Sequence, residues 1–337
     1  MSPSSKVRSK FLLFITSLFC LLGISLQTAV ASRCVDATAT DIRSFTLETF
    51  NRNIGLMTPE QLLTLSEKRV AIAGIGGLGG EALRGLVGLG IRKFSNADPD
   101  VLDKNNRNKQ SLASERTEGR LKVEVASEYI LERNPYAEIR SFKEGVREEN
   151  IDRFLEGVDM VIDGIDVFAM GVRRQIFMKA HEKGIPVLTI APLGRSVSVM
   201  LFRPDGITYD RYFDVNEKTN QNEHLLKFIL GMAPGFMHRN HYHEQYLRMS
   251  EGIAPSYIGS TQIAAGHVVD IVRGVLLGNS EISSAPTSYQ YDFSKMQVQK
   301  SHLAMGNRGP IQRLKLVVAR EKFRRHFIDL PEEKQEP

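Results

Sequence analysis

Arg69-Val-Ala-Ile-Ala-Gly-Ile-Gly-Gly-Leu-Gly-Gly-Glu81, followed by Ala97-Asp-Pro-Asp100, decides how this chain folds. The apolar run Val70 to Ala73 has the length of a buried strand, and the loop behind it carries glycines at 74, 76, 77, 79 and 80. Leu78, Ala82, Leu86 and Leu89 then recur at helical spacing. Strand, glycine turn, helix, second strand and terminal acid make the front half of a nucleotide-binding βαβ unit. Side chains in that turn would hold phosphates away from the N–H groups at the helix start. Asp98 follows Gly79 at about the 20-residue distance of a carboxylate that accepts from ribose hydroxyls. An NAD site and an ATP site both fit these residues.

Downstream, Val101-Leu-Asp-Lys-Asn-Asn-Arg-Asn-Lys-Gln110 is strongly polar and follows a strand's carboxyl end, where open α/β sheets bind ligands. Asn106 and Lys109 have the reach and chemistry for phosphate oxygens, and Gln110 can order the loop. The spacing predicts a helix from Gly119-Arg-Leu-Lys122 to Glu132, closed by Asn134-Pro135, and a strand over 137–142. Val158 to Ile162 reads as a buried parallel strand ending in Asp163-Gly-Ile-Asp166, a second acidic strand end. A helix over 169–183, a strand over 185–191 and an antiparallel strand over 195–202 complete the alternation. Upstream, Thr58-Pro-Glu-Gln61 is a capping box opening a short helix, with Arg52 in the polar turn before it. The fold class expected is α/β: a Rossmann-like, doubly wound, mostly parallel sheet with added antiparallel strands and C-terminal helices.

Taken in order, these segments resemble the ThiF/MoeB/HesA superfamily of adenylate-forming enzymes, which includes the ubiquitin-activating enzymes. The resemblance runs from Arg52 to about Phe213, through Gly74-Ile-Gly-Gly-Leu-Gly79, Asp98-Pro-Asp100, Asn106-Arg-Asn-Lys-Gln110, Gly119-Arg-Leu-Lys122 and Asp163-Gly-Ile-Asp166. It implies that Gly74, Gly76, Gly77 and Gly79 cradle ATP, with Asp98 on the ribose and Asp100 beside it. It further implies that Asn106, Lys109, Gln110 and Lys122 grip the triphosphate and that Asp166 holds Mg²⁺. Arg52 matches an arginine that in this family reaches across a homodimer to the neighbouring subunit's phosphates. The catalytic set so implied is Arg52, Lys122 and Asp166, and the reaction is attack of an acyl carboxylate on the α-phosphate. The acyl partner would be a ubiquitin-like protein tail, a peptide, a modified tRNA or a metabolite. Two positions depart from the pattern: Lys109 stands where arginine is usual, giving up the planar bidentate grip, and Val167 stands where asparagine is common.

The 337 residues, 42% hydrophobic and 25% charged, describe an ordinary globular chain with a sizeable core. A net charge of +5 permits a polyanionic partner without requiring one. The two cysteines, Cys20 and Cys34, both precede the motifs, so the body has no cysteine for a thioester or a Cys-type zinc site. Adenylation without a thioester step, and no structural zinc, are therefore expected. Lys6, Arg8 and Lys10 precede a charge-free run from Phe11 to Ala31 that ends in small residues, the pattern of a signal peptide or membrane anchor. Membrane association or export is the localisation this implies, with membrane contact through residues 11–31. ATP dependence instead argues for a body facing the cytoplasm.

The domain reading is a signal or anchor over 1–33, an adenylation core over 34–215, a divergent part packed on it over 216–330, and a tail over 331–337. In the divergent part, helices are expected over 222–232 and 260–277, the latter with a small-residue face suited to a subunit interface. Strands are expected over 289–293 and 312–318. His238, His241 and His243 fit no strong zinc template and suit a surface loop or a substrate-facing polar cluster better than a metal site. Basic residues from Arg313 to Arg325 usually mean a solvated face, with RNA binding as the other reading. Alternatives to adenylation are a tRNA threonylcarbamoyladenosine dehydratase-like enzyme, a non-catalytic nucleotide-binding protein, and an NAD-dependent oxidoreductase.

Overall fold

Thr38 opens the part of the chain that the structure, a computed structural model, describes: residues 38–327. Its hydroxyl accepts from the Asp41 N–H at 3.2 Å and so starts helix α1, Ala39–Thr49. This helix runs across the boundary between two units, one reaching Phe45 and the other beginning at Thr46. All that follows concerns the second unit.

Helix α2, Pro59–Glu67, begins with the predicted capping box: Gln61 N–H donates to Thr58 Oγ1, and Thr58 N–H donates to Gln61 Oε1. Strand β1, Arg69–Ala73, is buried throughout and leads into α3, Gly77–Leu89. Next come β2, Lys93–Ala97, α4, Lys122–Arg133, β3, Glu138–Phe142, and the single turn α5, Ile151–Phe154. Strand β4, Met160–Asp163, is followed by α6, Met170–Glu182, then β5, Val187–Leu193, and β6, Ser196–Phe202. The remainder comprises α7, Tyr209–Phe213, α8, Gln221–Met232, α9, Ile258–Leu276, β7, Thr287–Asp292, β8, Gln297–His302, and α10, Pro310–Phe327.

All eight strands form one sheet in the order β3-β2-β1-β4-β5-β6-β7-β8. The first five run parallel and the last three alternate, so the expected fold class holds. Reversal of β6 and β7 sets up the site. The carboxyl end of β5 meets the amino end of β6 at Leu193 and Ser196, and Ser196 in turn pairs with Asp292 at the carboxyl end of β7. One edge of the sheet thus carries the carboxyl ends of β1, β2, β4, β5 and β7. One face is covered by an aromatic cluster in which Phe177 meets Phe202 edge-on at 5.3 Å and Tyr209 lies 4.6 Å from Phe213.

Several expectations are corrected. Residues 312–318 are helical, not extended: Pro310 occupies the first helical position, and Gln312, Leu316 and Ala319 are buried at helical spacing. Strand β8 has no apolar run to announce it, since it is an exposed edge strand of mixed polar residues. The small face of α9 packs within the chain on α3: a Cβ at Gly85 would stand 2.5 Å from Val269 Cγ2. Membrane association or export is corrected as well. Among the described residues no helix is long and apolar enough to cross a membrane. Residues 1–33, on which that expectation rested, lie outside the described residues.

Candidate active site

The shared sheet edge opens on a cleft of about 1180 Å³. Its first wall is the glycine loop. Gly74 has φ of +86°, and a Cβ there would stand 2.3 Å from Gly164 O. A Cβ at Gly79 would stand 1.8 Å from Gly74 O, so main chain lies directly on main chain. Gly74 N–H donates to Ala97 O at 2.7 Å and Gly164 N–H to Ala73 O at 2.8 Å, which threads the loop between the ends of β2 and β4. Gly76 caps α3 without a side-chain hydrogen bond, leaving the first N–H groups of that helix for an anion.

Asp98 ends β2 and is 5% exposed. Its Oδ2 accepts from Ile75 N–H at 2.7 Å and its Oδ1 from Asp100 N–H at 2.9 Å, so it fixes both the glycine loop and its own turn. Burial pushes its carboxyl above the ordinary range, while Lys122 and these N–H groups pull it back. Lys122 begins α4, is itself buried, and holds its ammonium 2.6 Å from Asp100 Oδ2 and 3.4 Å from Asp98 Oδ1. One ammonium therefore serves two carboxylates at the cleft wall.

Between them, the polar loop is a structured turn. Asp103 N–H donates to Asn106 Oδ1 at 3.0 Å, so Asn106 caps Lys104–Asn106 as well as lining the cleft. Gln110 is buried, its N–H bonded to Asn106 O at 2.9 Å, and its Oε1 has no hydrogen-bond partner among the described residues. Lys109 lines the cleft half-buried, whereas Arg107 turns away to Glu118.

The two acids after β4 take different parts. Asp163, 4% exposed, is clasped by Arg173, whose Nε lies 2.9 Å from Oδ2. Arg173 also donates to Ile165 O at 2.6 Å and lies over the Phe228 ring, so the pair pins the loop that follows. Asp166 remains exposed in the cleft, its carboxylate accepting from Phe168 N–H at 2.9 Å and its main-chain carbonyl from Ala169 N–H at 3.1 Å, with Val167 beside it. Among the described residues no three His, Cys, Asp or Glu side chains converge to hold a metal. Neither Asp166 nor the three histidines at 238–243 belong to such a cluster among the described residues.

The structure accordingly gathers Gly74, Gly76, Gly77, Asp98, Asp100, Asn106, Lys109, Gln110, Lys122 and Asp166 around one cleft. Gly79 lies beneath it, against Gly74. Arg52 is not brought in: it is exposed in the turn Asn51–Asn53 and does not line the cleft. Reading the sequence missed Arg173, whose only signal is a cation ten residues after an acidic strand end. It picked out His238, His241 and His243 as a polar segment but did not extend that segment to the cleft's second wall, residues 236–256.

The ThiF family pattern matches residues 50–309. The tRNA threonylcarbamoyladenosine dehydratase of Bacillus subtilis (strain 168) is 31% identical over 144 residues, 42% of this chain and 56% of that protein. The SAMP-activating enzyme E1 of Haloferax volcanii is 26% identical over 192 residues, 56% of this chain and 70% of that one. The molybdopterin-synthase adenylyltransferase of Salmonella typhimurium is 28% identical over 138 residues, 41% and 55% respectively. The chain thus spans little more than half of the dehydratase and of the molybdopterin-synthase enzyme. Among solved structures, PaaA aligns with a TM-score of 0.58 at 19% identity, covering 82% of this chain and 91% of that one. E. coli MccB with MccA-N7isoASN gives 0.58 at 15%, covering 82% and 75%. At these identities the likeness concerns the fold.

Proposed function

The chain belongs to the ThiF family, and we propose that it adenylates a carboxylate with ATP, releasing pyrophosphate and forming no thioester on itself. The observation that carries the reading is the convergence of an uncapped helix start, a buried ribose-type acid, Lys122 and Asp166 on one cleft. A glycine cradle that any Cβ would fill suits a polyphosphate lying against the main chain. MccB, whose fold this chain shares, has been solved with ATP.

In this reading Asp98 keeps lone pairs for ribose hydroxyls while its N–H contacts hold the loop. The attacking carboxylate forms a bond to the α-phosphorus as the bond to the β-phosphate oxygen breaks, and that oxygen leaves with the electron pair. Lys122 and Lys109 stabilise the charge that develops on the leaving pyrophosphate. Lys122 must exchange Asp100 for a phosphate oxygen, and the mostly exposed side chain of Asp100 is free to release it. Asp166 would hold Mg²⁺ together with substrate phosphates, an arrangement in which one carboxylate suffices; the ion would neutralise phosphate charge. Arg52, away from its own cleft, would serve the cleft of a second copy in a homodimer.

Pyrophosphate exchange into ATP, dependent on an added carboxylate, tests the proposal. Asp166→Ala should lower exchange by about 100-fold or more, the scale of a lost electrostatic contact to the transition state; wild-type exchange in that variant would refute the role. A dehydratase acting on modified tRNA is the second reading, favoured by the 31% identity to the Bacillus subtilis enzyme. It shares the adenylation step and differs in the substrate that supports exchange.

A further inference from the structure

Helix α10 begins at Pro310, one residue beyond the family pattern, which ends at 309. Its inner face is anchored. Leu316 and Ala319 are buried against Leu226 and Leu230 of α8, with Phe323 packed beside them. Gln312 Nε2 adds a hydrogen bond to Leu230 O at 3.2 Å. A helix held in this way presents its outer face at a fixed angle. That face carries Ile311, Leu314, Val317 and Val318, which are 70%, 67%, 59% and 60% exposed. Steps of three, six and seven residues from Ile311 set them in one stripe. Single exposed apolar side chains are ordinary, but four within eight residues on one face make a patch.

The charges around the stripe decide what can cover it. Arg320 is bonded to Glu223, its Nε 3.0 Å from Oε2. Lys322 Nζ lies 3.1 Å from Glu244 Oε1, and Lys315 Nζ donates to Pro234 O at 2.7 Å. These flanking cations are offset within the chain, so they neither require an anionic partner nor bar a basic one. Arg313 and Glu321 remain. Both are exposed, and neither has an ion pair among the described residues. They carry opposite charge and stand four residues on either side of Val317. An antiparallel copy of the helix centred on Val317 therefore sets Arg313 opposite the partner's Glu321, and Glu321 opposite the partner's Arg313. The stripe is complementary to itself, as a two-fold interface requires. Covering it on both copies removes on the order of 1,000 Å² from water, the lower bound of a specific interface.

We propose that α10 is a self-association helix: two copies of this chain pair antiparallel across Ile311, Leu314, Val317 and Val318, with Arg313 and Glu321 paired between them. The contact is separate from any pairing that Arg52 serves, and it does not rest on the adenylation reading.

Sedimentation equilibrium of the full chain from about 1 to 200 μM tests the interface. The wild-type weight-average mass should rise with concentration. Leu314→Glu should weaken that association by at least about 10-fold, because it places a carboxylate inside an apolar contact. Arg313→Glu and Glu321→Arg should each weaken it as well, since each brings like charges together. An equal mixture of these two variants should associate as the wild type does, because every facing pair is again of opposite sign. The chain carrying both exchanges should do the same. All of these positions are exposed, so each variant should keep the wild-type melting midpoint. A mass that Leu314→Glu leaves unchanged overturns the interface, whatever dimer forms elsewhere on the molecule. So does a mixture of the two charge variants that is no heavier than its components.

Discussion

Two walls share this cleft, one holding its shape through main chain pressed on main chain, the other through buried side-chain pairs. At the glycine loop, Gly74, Gly79 and Gly164 bring three stretches of backbone together with no room for a Cβ. At the 236–256 wall, His241 with Asp292 and His238 with Gln290 hang a loop on strand β7. The first arrangement tolerates almost no substitution, because main chain meets main chain, although Gly164 lies ninety positions from Gly74. The second tolerates exchange of shape but requires partners some fifty positions apart in the chain. A contact that excludes every Cβ leaves glycine at fixed positions and so writes a motif, whereas a side-chain pair does not.

Substitutions can break that contrast, beginning with the largest effect. Gly79→Ala drives a Cβ to 1.8 Å from Gly74 O. It should cost more than about 4 kcal/mol, the range reserved for gross backbone or packing conflict, and abolish nucleotide binding. Gly88→Ala, nine residues along and open around its Cβ position, should instead stabilise by about 0.5–1 kcal/mol. Denaturant melts of both variants check the pair, and equal effects would dissolve the distinction.

Arg173→Met strands Asp163 in a buried site, where breaking one partner of such a pair costs about 3–5 kcal/mol. Urea titration should show that loss, and any folded fraction should have weakened Mg²⁺-dependent ATP binding because the Asp166 loop is released.

The motifs around Asp98, Asn106–Gln110 and Asp166 were legible because each sits at a strand's carboxyl end, with its contacts close by in the sequence or along the neighbouring strand. The parallel sheet was legible for a related reason: buried strands such as Val70 to Ala73 are continuous apolar runs. Strand β8 was not, since an exposed edge strand has no hydrophobic pattern to show. Helix α10 was misread because its β-branched run, Val317 and Val318, outweighed the buried spacing of Gln312, Leu316 and Ala319. Arg173 and the partners of the wall's histidines stayed hidden for one physical reason, namely that burial of a polar side chain depends on a partner that only the fold supplies.

On the other wall, Asp292→Asn should cost about 1–3 kcal/mol by disturbing a buried acceptor that takes bonds from His241, Ser294 and Lys295. Its calorimetric affinity for ATP should stay at the wild-type value, which sharpens the independence of the two walls.

The smallest effect concerns acid. His224 and His238 are both held neutral, burial pushing each from 6.5 to about 4. Their unfolded forms bind protons first, so the stability they contribute is complete above about pH 6.5 and is lost as pH falls toward 4. His224→Gln should flatten the wild-type fall in denaturation midpoint between pH 7.5 and pH 5 by on the order of 1 kcal/mol.

The account turns on what the glycine-loop wall binds, and titration calorimetry of the full chain with ATP–Mg²⁺ and with NAD addresses it directly. One ATP should bind per chain, Lys122→Ala should weaken it by about 10-fold, the scale of one charge-assisted contact, and NAD should not compete. Tighter binding of NAD than of ATP, with no change on removing the Lys122 ammonium, would contradict an adenylation site.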